Sequence, residues 1–315
     1  MADYRATWAS RRSVLLPRAA RSISSGVWVY GSTSRAAILA NQLTGWLASL
    51  RIGLVPGKNI RWDPPIDHSL LRDWLPKASE ALGNRVEWWV AQLPMDSRRR
   101  RFNLLLVDSN RVPVGFAKFT RNRPNPMSLM ALARFAEEPT RSFWSPGLAL
   151  ADQLGDYSVV LTSSMPNRAH RPAVLSPHVR RTIVDEIHHR LDDLSAPGVA
   201  IHGDFAPWNV RSFSGGGIAV LDWEEVTSGV DGADELWHAV CSRALAGRGL
   251  ELAWKQIVRD SPYGLEVMSE AARFLINRLS QKEPEEIDSQ NAMPPKLDEF
   301  SRSLRSILED IAGAS

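Results

Sequence analysis

The chain is poor in cysteine: Cys241 stands alone in 315 residues. No internal disulfide can form, which fits a reducing compartment without requiring one. No run of about 18 uninterrupted apolar residues occurs, so no transmembrane helix is read. There is no internal repeat. An export signal is incomplete: Ser10-Arg11-Arg12-Ser13-Val14-Leu15-Leu16 resembles a twin-arginine leader, but Pro17, Arg18 and Arg21 interrupt the apolar stretch that should follow. The expectation is a cytoplasmic chain with no membrane segment.

What is present suits a globular protein of one large domain or two lobes, 44% hydrophobic and 23% charged. The net charge of +3 is unevenly spread. Residues 1–125 hold 20 Lys and Arg against 8 Asp and Glu, and residues 126–315 hold 18 against 27, so the parts carry +12 and −9. Such asymmetry marks either a nucleic-acid-binding arm or an enzyme with a phosphate-binding half and an acidic, metal-binding half. The arginines are scattered, aromatic residues are thinly interleaved and no binding module is recognisable, so no nucleic-acid partner is expected.

Residues 1–33 read as an extended or partly ordered lead. Ser34 is placed to cap a helix over about 34–52, in which Ile38, Leu39, Leu43, Trp46, Leu47 and Leu50 recur at helical spacing before Gly53. Residues 54–68 read as a connection and about 69–82 as a short helix. The period then changes. Val86–Ala91, Phe102–Val107 and Val114–Thr120 read as an antiparallel meander, 126–136 as a helix and Tyr157–Thr162 as another strand. Beyond these the pattern is helical: Val179, Ile183, Ile187, Leu191 and Leu194 form one stripe, and three further stripes follow at 236–240, 267–279 and 297–311. Strands first and helices later imply an α+β, two-lobed protein.

The polar chemistry gathers in one stretch. His202-Gly203-Asp204-Phe205-Ala206-Pro207-Trp208-Asn209 lies between apolar runs, and after a turn at Gly215–Gly217 comes Leu221-Asp222-Trp223-Glu224. Phosphoryl transfer needs a carboxylate to orient a hydroxyl and take its proton. It also needs hard oxygen ligands for Mg²⁺ on the nucleotide phosphates. The Asp-x₄-Asn spacing lets one short loop supply both base and ligand, with Asp222 across the hairpin as a second ligand. Singly, each residue also has a plain reading, Asn209 as a turn residue and Asp222 as a strand-end cap. Trp208 and Trp223 read as core packing, and Glu224 as either a neighbour of the metal or a solvated side chain.

These residues resemble the aminoglycoside phosphotransferase and choline kinase group, relatives of protein kinases. The resemblance implies a bilobal protein-kinase-like fold, with a small antiparallel-sheet N-lobe and a mainly helical C-lobe. It implies Asp204 as catalytic base, Asn209 and Asp222 as Mg²⁺ ligands, and His202 as an anchor of the loop. In Gly229-Val-Asp-Gly-Ala-Asp-Glu-Leu-Trp-His238, Asp234 would brace that loop from behind. Residues 1–84 would form an N-terminal extension, 85–165 the nucleotide-binding lobe and 166–315 the lobe with catalytic loop and acceptor site. The cofactors implied are ATP, or another nucleoside triphosphate, and Mg²⁺; the partner is a small hydroxylated molecule.

On the nucleotide side, Val114, Phe116 and Lys118 share one strand face, so Lys118 is the candidate for the phosphates, with edge-strand solubility as its alternative. The strand Tyr157–Thr162 leads into Ser163-Ser164-Met165-Pro166, which looks like a hinge offering its backbone to adenine. Two features of the pattern are missing. Pro94–Arg101 has no glycines, and its Arg98–Arg101 either contacts phosphate or forms a solvated tip. No glutamate occurs within 126–136 to pair with Lys118; Glu137 and Glu138 come only at the end. A nucleotide-binding pseudoenzyme or scaffold is therefore the alternative reading. The acidic excess of the later residues is compatible with a cationic acceptor such as an aminoglycoside or choline, and a neutral sugar fits equally.

Overall fold

The structure, a computed structural model, describes residues 2–7, 14–17, 57–62, 65–93, 101–166, 170–194, 198–213, 215–246, 253–282 and 295–314. The helix expected over 34–52, the paired arginines at 11–12 and most of the basic segment 94–101 lie outside them. The chain divides into two compact units.

The first unit comprises Met1–Pro139, Ser145–Pro172 and Ser212–Ala219. It is built on an eight-stranded sheet of β1 (Ala2–Thr7), β2 (Val14–Pro17), β3 (Gly57–Trp62), β4 (Trp88–Gln92), β5 (Arg101–Val107), β6 (Pro113–Thr120), β7 (Leu148–Leu154) and β8 (Tyr157–Ser163), in the order β3-β1-β2-β4-β5-β6-β8-β7. The expected meander is β4-β5-β6, antiparallel throughout, with Leu104 opposite Ala117. Four strands of this sheet, β1, β2, β3 and β7, were not expected. The lead and the connection supply β1, β2 and β3, with Ala2 opposite Trp62 and Thr7 opposite Gly57. β3, GKNIRW, carries too few apolar residues for strand periodicity to show.

Helix α1 (His68–Ala81) starts at Asp67, whose side chain accepts the Ser69 N–H. Its Trp74 meets Phe119 edge-on at 5.5 Å, and Phe102 stacks on Phe119 at 4.5 Å. Each such pair is worth about 0.5–1.5 kcal/mol beyond its buried area. Gly115, Ala117 and Phe119 of β6 are buried, and Leu82, just after α1, packs on Gly115. Val114, Phe116 and Lys118 occupy the other, half-buried face. Asn125 caps α2 (Pro126–Glu137), with proline in its first turn where the missing N–H costs nothing.

The second unit comprises Thr140–Trp144, Ala173–Arg211 and Val220–Ser315. Ser176 caps α3 (Pro177–Leu191), whose stripe Ile183, Ile187 and Leu191 is fully buried as its spacing requires. Strands β10 (Val199–Ile201) and β13 (Thr227–Gly229) pair antiparallel. β9 (His170–Pro172), β11 (Val210–Phe213) and β12 (Ile218–Val220) form a three-stranded sheet with the Gly215–Gly217 turn, of which β9 and Ser212–Ala219 are counted with the first unit. Helices α4 (Ala233–Ala246), α5 (Ala253–Arg259), α6 (Leu265–Lys282) and α7 (Pro295–Ala312) pack around Leu236, Val240, Ala271, Leu275, Leu304 and Leu308. The expected α+β class holds, an antiparallel sheet accompanied by a helical part. Among the described residues no helix is long and apolar enough to cross a membrane.

Candidate active site

His202, Asp204, Asn209, Asp222 and Asp234 all belong to the second unit. Helix α4 begins beside the loop after β10, and its Asp234 accepts the backbone N–H groups of His202 at 2.7 Å and Gly203 at 3.1 Å, one on each carboxylate oxygen. Asp234 is almost wholly buried, and that burial pushes its carboxyl up to about 7, against the two N–H donors and the charge of Arg278. Asp234→Asn offers a single oxygen and turns its amide nitrogen toward a backbone N–H. One buried donor then loses its partner, a cost of about 1–3 kcal/mol. Thermal unfolding of the variant checks this, and an unchanged midpoint would count against the brace.

His202 is buried and threads the loop to the hairpin. The Asp204 N–H donates to its Nδ1 at 3.2 Å, so that nitrogen is the acceptor. The ring proton therefore sits on Nε2 and donates to the Leu221 carbonyl at 2.9 Å. Leu221 in turn donates its own N–H to the Asn209 carbonyl at 2.8 Å. Both backbone groups of Leu221 are thus tied to the loop, and the next residue, Asp222, is delivered beside it. Asp222 adopts the left-handed backbone (φ 65°, ψ 60°), which a non-glycine residue holds only at a cost of about 1–2 kcal/mol. Trp223 behind it is core, as expected: it is buried, packs on the His202 ring at 4.5 Å and donates to the Val220 carbonyl. Glu224 is exposed.

Asp204 is half-buried and both its carboxylate oxygens are engaged. The Asn209 side-chain nitrogen donates to Oδ2 at 2.8 Å and to the Asp204 backbone carbonyl at 2.9 Å. Since both partners accept only, the amide orientation is fixed and Asn209 Oδ1 lies on the opposite arm. The other carboxylate oxygen, Oδ1, accepts the indole N–H of Trp237 at 2.8 Å. Next to Trp237 on α4, His238 receives the Leu175 N–H on Nε2 and donates from Nδ1 to the Phe205 carbonyl at 3.0 Å. Burial holds its pKa down at about 3, so the ring is neutral.

Trp237, His238 and Arg278 were missed in the sequence. A signal existed for the first two, because positions three and four beyond Asp234 fall on the same helix face and so face the same loop. Arg278 of α6 had none. It donates to the Glu225 carbonyl at 2.9 Å and to the Glu225 carboxylate at 2.8 Å, over the Gly203 backbone.

Lys118 and Ser163 belong to the first unit. Lys118 lies on β6, between β5 and β8, opposite Asn103 and Val160, so the edge-strand alternative does not apply. The Ser163 N–H donates to the Gly147 carbonyl, and its hydroxyl oxygen accepts the Gly147 N–H, both at 2.9 Å. The N–H and the hydroxyl of Ser163 are thus both engaged with Gly147. Glu137 sits in the last turn of α2 and Glu138 caps it, so the middle of that helix carries no glutamate.

Residues 150–252 match the phosphotransferase enzyme family. The matched span contains His202, Asp204, Asn209, Asp222 and Asp234, and bears out the resemblance to the aminoglycoside phosphotransferases and choline kinases. No curated protein matches the chain. Similar solved structures include the amicoumacin kinase hAmiN in complex with AMP-PNP, Ca²⁺ and Ami, 12% identical over 68% of this chain and 88% of its own, TM-score 0.41. Spectinomycin phosphotransferase APH(9)-Ia, in complex with ADP and spectinomycin, is 13% identical over 79% of this chain and 98% of its own, TM-score 0.42. Choline kinase LicA from Streptococcus pneumoniae is 10% identical over 76% and 99%, TM-score 0.40.

Proposed function

We propose that this chain is an ATP-dependent kinase that phosphorylates a hydroxyl of a small molecule, with Asp204 as base. The observation that carries the reading is the pairing of Asp204 with Asn209 on one loop, the amide nitrogen turned to the carboxylate and the amide oxygen turned away. Asp204 takes the proton of the acceptor hydroxyl as the hydroxyl oxygen bonds to the γ-phosphorus. The bond between that phosphorus and the bridging oxygen breaks, and its electron pair leaves on ADP.

Asn209 and Asp222 offer hard oxygen donors of the kind Mg²⁺ takes. Among the described residues no group of three or more His, Cys, Asp or Glu forms a metal cage. Two protein ligands fit an ion that completes its shell with phosphate and water. Bound there, Mg²⁺ would neutralise charge on the nucleotide phosphates. Lys118 is the proposed phosphate ligand from the strand unit, and the segment from Ser163 onward the proposed adenine contact. The acidic excess after residue 125 favours a screen that starts with cationic acceptors, an aminoglycoside and choline, and continues with neutral sugars.

The test is calorimetric titration of ATP with and without Mg²⁺, native chain against Asp222→Ala, followed by transfer of labelled γ-phosphate to that acceptor panel. Native binding should require Mg²⁺. The variant should lose at least the about 10- to 100-fold that removal of an outer-shell partner already costs a metal site. Binding without transfer to any acceptor would favour the pseudoenzyme, whose supporting observation is the helix α2 without a mid-helix glutamate. Absence of nucleotide binding would overturn the reading.

A further inference from the structure

The Trp237 indole, on helix α4 and outside the loop, donates to the carboxylate of Asp204, and the sequence reading gave it no role. We infer that Trp237 is a positioning residue for the base, fixing the rotation of the Asp204 carboxylate from helix α4; this rests on the phosphotransferase reading above.

A carboxylate held at one oxygen alone can turn about its Cβ–Cγ bond. Asn209 holds Oδ2 and Trp237 holds Oδ1 at 2.8 Å each, from two different elements, so the carboxylate plane is set. The indole is suited to this because it only donates. A hydroxyl or amide in its place would also accept, and would compete with the carboxylate for the acceptor's proton. Trp237 is itself nearly buried, packed in the core of the helical unit. Helix α4 meets the loop at three successive points: Asp234 on the His202 and Gly203 N–H groups, Trp237 on the base, and His238 on the Phe205 carbonyl. The base is thus held from a packed helix as well as from within its own loop, as the alignment of reacting groups demands.

The contact is tested first without any acceptor. In the ¹⁵N-tryptophan-labelled chain, the Trp237 indole cross-peak, assigned by its loss in Trp237→Phe, should shift and exchange faster with solvent in Asp204→Ala. A cross-peak indifferent to Asp204→Ala overturns the proposal. The role is tested by comparing Trp237→Phe with Trp237→His. Phenylalanine keeps an aromatic ring but has no ring N–H, whereas the imidazole Nε2 occupies the same place in its five-membered ring as the indole Nε1. The expected result is a fall in kcat of about 10- to 100-fold for Trp237→Phe, with KM for Mg²⁺–ATP unchanged and part of the loss recovered in Trp237→His. Equal turnover of the two variants assigns Trp237 to packing alone and overturns the role. If Trp237→Phe fails to fold, Trp237→His with native-like kcat still supports the role, and Trp237→His folded but as slow as Asp204→Ala overturns it. A native chain that phosphorylates none of the aminoglycoside, choline and sugar acceptors overturns the phosphotransferase reading and this role with it. That case is told apart because the native chain itself is then silent.

Discussion

Gly203→Ala is expected to leave a chain that folds poorly and shows no phosphoryl transfer. Gly203 has φ 81°, where an L side chain costs about 1–2 kcal/mol. The added methyl carbon would lie 2.1 Å from the Glu225 carbonyl oxygen and 2.7 and 2.8 Å from the two terminal nitrogens of Arg278. Arg278 cannot simply swing away, because it is bound to the carbonyl and the carboxylate of Glu225. The carbonyl is backbone, in the turn that immediately follows Asp222. Relief must come from moving the loop that carries Asp204 or the turn that carries Asp222, and overpacking of this kind adds about 1–3 kcal/mol. The matched control is Gly216→Ala at the hairpin tip. That glycine has φ 94° and nothing within 4 Å of its added carbon, so only the backbone cost applies. Thermal unfolding and nucleotide binding of both variants decide the matter. Equal midpoints for the two would show that the close approach at Gly203 is not real.

The contrast between these glycines shows what could be read from the sequence. The spacing of His202, Asp204, Asn209, Asp222 and Asp234 was legible because the residues cluster in short segments beside apolar runs, and each segment reaches the site with its own strand or helix. The strands over 101–107 and 113–120 and the stripe of α3 were legible for the same local reason. The strands β1, β2 and β3 were not: they are short or polar, and only pairing with one another and with β4 makes them strands. β7, Leu148–Leu154, was missed because its residues are half-buried or exposed up to Leu154, so no alternation marks it. Arg278 lies 53 residues beyond Glu225, and its place over Gly203 depends on how α6 packs. Asp234 could be named as a brace from the resemblance, whereas the indole N–H one turn later needed side-chain geometry to be seen.

Asp204→Asn is expected to lower kcat by about 10²- to 10⁴-fold while Mg²⁺–ATP still binds. The substitution keeps the shape of the side chain and removes its basicity. It also sets one donor against another. Whichever way the new amide is turned, its nitrogen faces either the Trp237 indole N–H or the Asn209 amide N–H, both of which donate to the native carboxylate. The Asn209 side chain nevertheless keeps its second bond, to the backbone carbonyl of residue 204, which this substitution does not touch. Asn209 Oδ1 therefore stays where the metal would need it, and Asp222, held through Leu221 and His202, stays with it. That separation gives the kinetic signature: kcat and kcat/KM for nucleotide should fall together, as for an interaction made only in the transition state. A variant that keeps near-native turnover would remove Asp204 from the role of base. A variant that loses nucleotide affinity in proportion to its rate would show that Asp204 holds the Asn209 amide in place more than it takes a proton. The two results separate a chemical role for this carboxylate from an architectural one.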